Sequence, residues 1–145
     1  MKTKKFQFLE HTADIKFQAF GKTKEKAFEN SALAMFDSMS DDAVKEKTTK
    51  TVKVRGKDDE NLLYEFLEEL LFLFDSELFF VSKIKNIEIN KESKKSNQQS
   101  LKAELVGDSA ENYEMKNDIK AVTYNEMFVK KNKKNDWVCQ VVLDI

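Results

Sequence analysis

The chain has few of the residues that build covalent, metal or phosphate sites: no proline, three glycines, one cysteine and one histidine among 145 residues. A single cysteine, Cys139, excludes an internal disulfide, and one cysteine with one histidine cannot supply the four ligands of a structural zinc site. The glycines, Gly21, Gly56 and Gly107, are far apart, so there is no glycine-rich phosphate loop. Turns must therefore rely on Asn, Asp and Ser, and any bound metal must be held mainly by oxygen.

Long hydrophobic runs are also absent. No apolar run is longer than that at 70–74, which is much shorter than the roughly 18 residues that identify a membrane helix. The N-terminal segment alternates apolar and polar residues where a secretory signal would have a continuous apolar region. We therefore expect a cytoplasmic protein with no membrane partner.

Neither sign of charge is in excess, since 25 Lys and Arg residues balance 26 Asp and Glu residues. This balance excludes a uniformly basic nucleic-acid-binding surface. Arg55 is the only arginine, and lysine lacks the forked guanidinium that reads guanine or phosphate. The lysine-rich segments at 91–100 and 130–134 are interpreted as solvated hairpin loops, with a nucleic-acid contact as the alternative for the second.

The chain is well supplied with core formers: Leu, Val, Ile and Phe number 40. Period-two alternation predicts strands, and apolar residues at helical spacing predict helices. Thr23 is the predicted cap of the first helix, and Asp58 or Asp59 of the second. A slip in the alternation within 78–89 predicts a β-bulge. The predicted strands lie near 6–8, 15–19, 51–55, 78–89, 101–105, 121–129 and 137–143, and the helices near 23–39 and 58–74, with polar connections at 91–100 and 107–119.

The order of these elements places the helices early and the hairpins late. It predicts a single α+β domain over 1–145, in which two helices pack on one face of a mostly antiparallel β-sheet of about seven strands. The strict strand–helix alternation of a doubly wound fold is absent.

Carboxylates at two predicted strand ends form a candidate cation site. Asp14 opens the second strand, Asp144 closes the last strand, and Ile145 adds the α-carboxylate. If these strands are neighbours, three carboxylates meet at one end of the sheet, an arrangement that suits Ca²⁺, Mg²⁺ or Mn²⁺. The ordinary alternative is a pair of exposed acids near chain ends. The last strand is apolar to its end, which favours an anchored terminus.

Two other features contain candidate functional residues, with weaker support from the sequence. The segment Lys120–Tyr124 places one cation and two hydroxyls at the start of a strand, although ordinary cross-strand packing is the favoured explanation from the residues alone. His11 is the only histidine, and pairing it with Cys139 as a nucleophile has no other support in the sequence.

Several of these segments, taken in order, resemble the archease family. The resemblance extends from about residue 6 to the C-terminus, and motifs that agree in order are more specific than any one of them. The segments are Glu10–Asp14, Gly21–Thr23, Ala27–Asn30, Leu62–Asp75, Lys120–Tyr124 and Leu143–Ile145.

The resemblance implies a chaperone-like accessory protein of tRNA splicing and RNA repair that is not itself an enzyme. Its implied partner is the RtcB-type RNA ligase, whose guanylylation and multiple turnover it promotes, with indirect contact to RNA. The family's metal site corresponds to Asp14, Asp144 and Ile145, with calcium, manganese or magnesium as the ion. The family's functional lysine corresponds to Lys120, and His11, in the same segment as Asp14, is the other candidate functional residue.

One departure from the family pattern is Asn125, where the family commonly has histidine. Asparagine keeps a hydrogen-bond donor and an acceptor but does not titrate near neutral pH. Two other function classes stay open at this point. One is a stand-alone metal-dependent hydrolase that uses Asp14 and Asp144 with His11 as base. The other is a general protein chaperone with an exposed apolar face.

Overall fold

The computed structural model describes residues 4–145, which form two helices and seven strands. The first three residues of the predicted domain lie outside the described part of the chain. In chain order the elements are β1 (Phe6–Leu9), β2 (Asp14–Gly21), α1 (Lys24–Met39), β3 (Thr48–Gly56), α2 (Asp59–Glu77), β4 (Phe79–Lys91), β5 (Gln99–Ser109), a short 3-10 helix (Ala110–Asn112), β6 (Ala121–Lys131) and β7 (Trp137–Asp144).

The strands form two antiparallel sheets, one with the order β1-β2-β7-β6 and one with the order β3-β5-β4. The predicted α+β class, with two helices and seven antiparallel strands, is therefore confirmed. Period-two alternation indicates which face of a strand is buried but not which strand is its neighbour. For this reason the division into two sheets does not follow from the sequence pattern.

Both helices pack between the two sheets. Helix α1 contacts β2 and β7 of the four-stranded sheet and β4 of the other, while α2 contacts β3 on one side and β6 on the other. Because α1 has neighbours on both sides, even its polar residues Asn30, Ser31 and Ser38 are buried. Each of these side chains donates a hydrogen bond to a backbone carbonyl, while the Oδ1 atom of Asn30 is buried without a partner.

The helix starts agree with the sequence-based expectations. The Thr23 hydroxyl accepts a hydrogen bond from the Lys26 N–H at 3.1 Å, and the Asp58 carboxylate accepts one from the Asn61 N–H at 2.7 Å. Each side chain thereby satisfies a backbone donor that the helix itself cannot.

The predicted bulge in β4 is present, with register shifts between Val81 and Lys83 and between Lys85 and Glu88. The predicted polar connection at 107–119 is wrong at its start, because β5 continues to Ser109 and a short 3-10 helix follows. Gly107 explains the difference: a Cβ at this position would overlap the Phe80 carbonyl oxygen, so glycine lets the two strands pair closely.

Among residues 4–145, no helix is long and apolar enough to cross a membrane.

Candidate functional site

Asp14 and Asp144 lie directly opposite each other where β2 and β7 end. Directly opposite residues of an antiparallel pair extend from the same face of the sheet. The next pair, Ile15 and Leu143, faces the helices, and Leu143 is fully buried. Since alternate residues face opposite ways, the two carboxylates lie together on the outer face of the four-stranded sheet.

The start of β6 completes this end of the sheet. Ala121 lies opposite Asp144 on the other side of β7, and the Lys120 N–H donates a hydrogen bond to the Asp144 carbonyl oxygen at 2.7 Å. The fold therefore brings four predicted residues together at one end of the sheet: Asp14, Lys120, Asp144 and Ile145.

The two carboxylates have few positively charged neighbours to neutralise them. In the described part of the chain, Asp14 has an ion-pair contact only with His11, and Asp144 has none. Like charges directly opposite each other on a sheet are destabilising, and a cation between them removes the repulsion. The donor set, two carboxylates beside a terminal carboxylate, fits a hard divalent cation.

No cluster of three or more His, Cys, Asp or Glu side chains suited to a metal ion occurs within residues 4–145. The predicted ligand set contains only two such side chains, since its third member is the terminal carboxylate of Ile145. The metal site at Asp14 and Asp144 therefore stays a prediction.

His11 connects the start of β2 with the middle of β6. Its Nδ1 atom lies 3.5 Å from Asp14 Oδ2, and its Nε2 atom lies 2.9 Å from Glu126 Oε2. Lys16 Nζ lies 3.2 Å from the other oxygen of Glu126. The hydrogen bond with His11, followed by that with Lys16, lowers the pKa of the Glu126 carboxyl. The Nδ1 atom of His11 is buried and makes no hydrogen bond.

Glu126 belongs to a bulge that the sequence analysis did not predict. Thr123 pairs with Val142, but Phe128 pairs with Gln140, so β6 contains extra residues that β7 does not match. Glu126 has a φ of 56°, in the left-handed region, and its carbonyl oxygen accepts a hydrogen bond from the Gln140 side chain at 2.8 Å. The adjacent polar residues 125 and 126, which interrupt the apolar alternation of β6, are the sequence signal for this bulge.

Asn125, at the family's usual histidine position, is exposed on this bulge. Its backbone N–H donates to the Thr123 hydroxyl at 3.2 Å. Its side chain is therefore free to face a partner without changing the sheet.

Tyr124 joins the Lys120–Tyr124 segment to α2. Its ring stacks on Tyr64 with a centroid distance of 4.3 Å, and its hydroxyl accepts a hydrogen bond from Asn61 Nδ2 at 2.7 Å. The ring is nevertheless 50% exposed. The segment thus packs against α2 across the sheet edge and also presents surface to solvent.

A cavity of about 240 Å³ opens beside Asp14 and includes Lys16 and Lys116 in its lining. His11 lines a different cavity, with Glu10 and Thr12. Cys139 is fully buried, and burial raises the pKa of its thiol to about 12. It pairs with Ala19, far along β2 from Asp14, so the fold does not form a pair between Cys139 and His11.

Fold and site together define a small α+β protein with two helices between two antiparallel sheets and a pair of acidic residues at one sheet end. The model of the Archease protein family matches residues 6–145. The chain belongs to the archease family.

Individual archease proteins are similar to this chain over nearly its full length. Protein archease of Methanosarcina mazei is 41% identical, over 98% of this chain and 97% of its own. Protein archease of Pyrococcus abyssi is 39% identical, over 98% of this chain and 99% of its own. The solution structure of Methanobacterium thermoautotrophicum protein 1598 is 32% identical, superposes with a TM-score of 0.82, and covers 97% of this chain and 99% of its own.

Proposed function

We propose that this protein is an accessory activator of an RtcB-type RNA ligase, acting in the cytoplasm in tRNA splicing and RNA repair. It promotes the metal-dependent guanylylation of the ligase and its multiple turnover, and it catalyses no reaction itself. Membership of the archease family supports this role, together with a near full-length match to several relatives.

The proposal is carried by the position of Asp14 opposite Asp144 at the end of the central strands β2 and β7, beside Lys120. The carboxylates are at strand ends, where a second protein can approach them. Their acidic oxygens would hold a divalent cation, with the terminal carboxylate of Ile145 as a third ligand. Such an ion, when bound, supplies charge stabilisation for phosphates that react nearby.

Lys120 supports this end of the sheet in two ways, through its backbone and through its side chain. The Lys120 N–H holds the end of β7 through the Asp144 carbonyl, so the acidic pair stays in register. The Lys120 side chain is exposed and carries a mobile positive charge that suits contact with a phosphate or a carboxylate on the partner.

The geometry favours the accessory role over the two alternatives. A stand-alone hydrolase would need a pocket that holds a substrate beside His11 and both carboxylates, but Nε2 of His11 already contacts Glu126, and the described lining of the cavity beside Asp14 includes neither His11 nor Asp144. A general chaperone would need a broad apolar patch. Among the described residues, six large apolar side chains are exposed, and one of them, Tyr124, already stacks on Tyr64: Phe8, Phe72, Leu78, Met115, Tyr124 and Ile145.

The test is a ligation assay with the partner ligase in limiting amount, using RNA ends that bear a 2′,3′-cyclic phosphate and a 5′-hydroxyl. We expect this protein to convert single turnover into multiple turnover, and to release no product from GTP or RNA alone. Unchanged ligation in its presence contradicts the proposal. Turnover of GTP or RNA by this protein alone, lost in Asp14→Ala, would establish the hydrolase alternative.

A further inference from the structure

The outer face of the three-stranded sheet is basic. Val52 and Leu101 are buried against the helices, and alternate residues of a strand face opposite ways, so Lys53 and Lys102 face outward. Twelve outward residues form four rows across the sheet, here called the basic face, with five basic and two acidic members. From β3 through β5 to β4, the rows are Thr49–Val106–Lys83, Thr51–Glu104–Lys85, Lys53–Lys102–Glu88 and Arg55–Ser100–Asn90.

Two cations of the basic face lie directly opposite each other. Lys53 of β3 pairs in register with Lys102 of β5. Like charges directly opposite each other on a sheet are destabilising, and an anion between them removes the repulsion. Glu88 lies opposite Lys102 on β4, but the ion pairs within residues 4–145 include none with Lys53, Lys102 or Glu88. The two ammonium groups are therefore not neutralised by the described part of the chain.

Protection of the sheet edges explains only part of this pattern. Edge strands often carry lysine, because its charge prevents pairing with the strand of another molecule. The edges of this sheet are β3 and β4, so Lys53, Lys83 and Lys85 fit that role. Lys102 does not, because β5 is the central strand. Its position opposite Lys53 therefore favours a ligand over edge protection.

The opposed lysines line a groove of about 570 Å³ on the sheet surface. The described lining also contains Arg55 and two neutral donors, Asn90 and Ser100, with Glu88 as its one acid. Arg55 Nε lies 2.6 Å from Glu92 Oε1, an exposed ion pair of the kind that contributes little to stability. Positive charges and hydrogen-bond donors in one concave surface suit an anion with several oxygens.

The loop between β4 and β5 extends the basic face at one end. It spans 92–98 and follows the last row of the face, in which Asn90 pairs with Ser100. The loop adds the exposed residues Lys94 and Lys95. The sequence analysis interpreted this segment as a solvated hairpin loop, and the structure places its lysines next to those of the sheet. The basic surface is therefore longer than a single phosphate requires.

The residues of the basic face favour phosphates over bases, proteins and lipids. The twelve residues include no aromatic ring on which a base could stack, and Val106, the one apolar member, is buried. A protein or membrane contact would need an exposed apolar group. Lysine supplies charge but does not read the edges of bases as a forked side chain does. The face is thus suited to a sequence-independent contact with a phosphate backbone.

The basic face is on the opposite side of the molecule from the acidic pair. Both helices pack between the sheets, and Asp14 and Asp144 lie on the outer face of the four-stranded sheet. A ligand on the basic face therefore leaves these carboxylates accessible. We infer that the basic face binds the phosphate backbone of RNA, so that this protein can hold RNA and the ligase at the same time. The choice of RNA over other phosphate polymers rests on the proposed function, because charge alone does not distinguish them.

The experiment measures binding of a fluorescein-labelled single-stranded RNA to the protein alone, by fluorescence anisotropy and without ligase. The test variant is Lys53→Gln/Lys102→Gln. The matched control is Lys133→Gln/Lys134→Gln, which removes the same charge from the exposed tip 130–134. We expect the wild-type protein to bind with a Kd on the order of 10⁻⁴ to 10⁻⁶ M, as in other sequence-independent complexes. The test variant should bind at least about tenfold more weakly at low salt, and the control should change little.

The salt dependence is a second readout, which a purely structural role of the lysines would not change. Each phosphate contact on a single strand contributes about −0.7 to the slope of log K against log salt concentration, so the test variant should have a slope shallower by roughly 1.4. Lys53→Arg/Lys102→Arg keeps both charges and should keep the wild-type slope. Oligonucleotides of uridine and of adenosine should bind alike, because no base is read. Circular dichroism checks that each variant is folded.

Four results would overturn the inference. The first two are no RNA binding by the wild-type protein at low salt, and equal binding by the wild-type protein and the test variant. The third is a loss of binding in the control variant alone, which would place the RNA contact at the tip 130–134. The fourth is displacement of RNA by GTP at equal phosphate concentration, which would make the groove a nucleotide site.

Stimulation of the ligase by the same wild-type preparation separates this inference from the proposed function. If the protein stimulates the ligase but does not bind RNA, only the inference on the basic face fails. If it binds RNA through the basic face but does not stimulate the ligase, the proposed function fails and the phosphate-binding face stands.

Discussion

His11 Nε2 lies 2.9 Å from Glu126 Oε2, a contact between residues 115 positions apart in the chain. Its other ring nitrogen lies 3.5 Å from Asp14 Oδ2. The ring therefore couples the acidic edge of the sheet to the bulge in β6, which also carries Asn125.

We predict that His11→Ala and Glu126→Ala each destabilise the bulge, and that the double variant is little worse than Glu126→Ala alone. The two residues share one contact, so their effects are not additive, and Glu126→Ala also removes the contact with Lys16. Urea unfolding of the four proteins measures the coupling, and hydrogen exchange of amides 124–127 locates it. Because the pKa of Glu126 is lowered, its contribution is complete above the ordinary Glu pKa and is lost as pH falls through the lowered value. Full additivity at neutral pH would contradict this coupling.

Asp75→Asn is expected to increase stability at neutral pH. Burial and Asp118 raise the pKa of Asp75, so its ionised form is less favourable in the folded chain than in the unfolded chain. This cost is complete above the raised pKa and disappears as pH falls below the ordinary Asp pKa. The gain in the urea midpoint should therefore be present at pH 7 and absent in acid. Glu88→Gln, at an exposed position, serves as the control, and an equal gain for both variants would contradict the argument.

Much of the fold was predictable because its signals are local. Thr23 and Asp58 cap their helices as expected, and alternation located every strand. The meeting of Asp14 with Asp144 could be predicted only on the condition that β2 and β7 are neighbours. No local sequence pattern specifies which strands are neighbours. Glu126 was missed because its bulge depends on contacts with His11 and Gln140, which are distant in sequence.

Asp14→Asn and Asp144→Asn should leave the protein folded but remove its stabilisation by divalent ions. Without an ion, each change relieves repulsion between opposing carboxylates, so the melting temperature should not fall. With Ca²⁺ or Mn²⁺, only the wild-type protein should show a higher melting temperature in a thermal-shift assay. A wild-type chain that is unfolded in chelator, as judged by circular dichroism, would contradict the claim that the protein folds without an ion. Equal ion-dependent shifts of the melting temperature in all three proteins would contradict the claim that Asp14 and Asp144 bind the ion.

A few residues appended after Ile145 should weaken ion binding. The extension converts the terminal carboxylate into a neutral peptide carbonyl and leaves every side chain in place. Calorimetry with Ca²⁺ and Mn²⁺ measures the change, and the same extension at the N-terminus is the matched control. Equal affinity of the two tagged proteins would remove Ile145 from the ligand set.

Lys120→Ala should slow activation of the ligase without unfolding this protein. The side chain is exposed, and surface changes usually alter stability by no more than about 0.5 kcal/mol. The hydrogen bond to Asp144 comes from the Lys120 backbone, so it survives the substitution. We therefore expect slower guanylylation of the ligase but normal joining by ligase that already carries the guanylate. Lys120→Arg, which keeps the charge, should restore part of the rate, and Lys133→Ala, at an exposed lysine of the tip 130–134, should have no effect. Undiminished guanylylation with Lys120→Ala would exclude this lysine from the activating step, whereas equal loss in both steps would place its role outside activation.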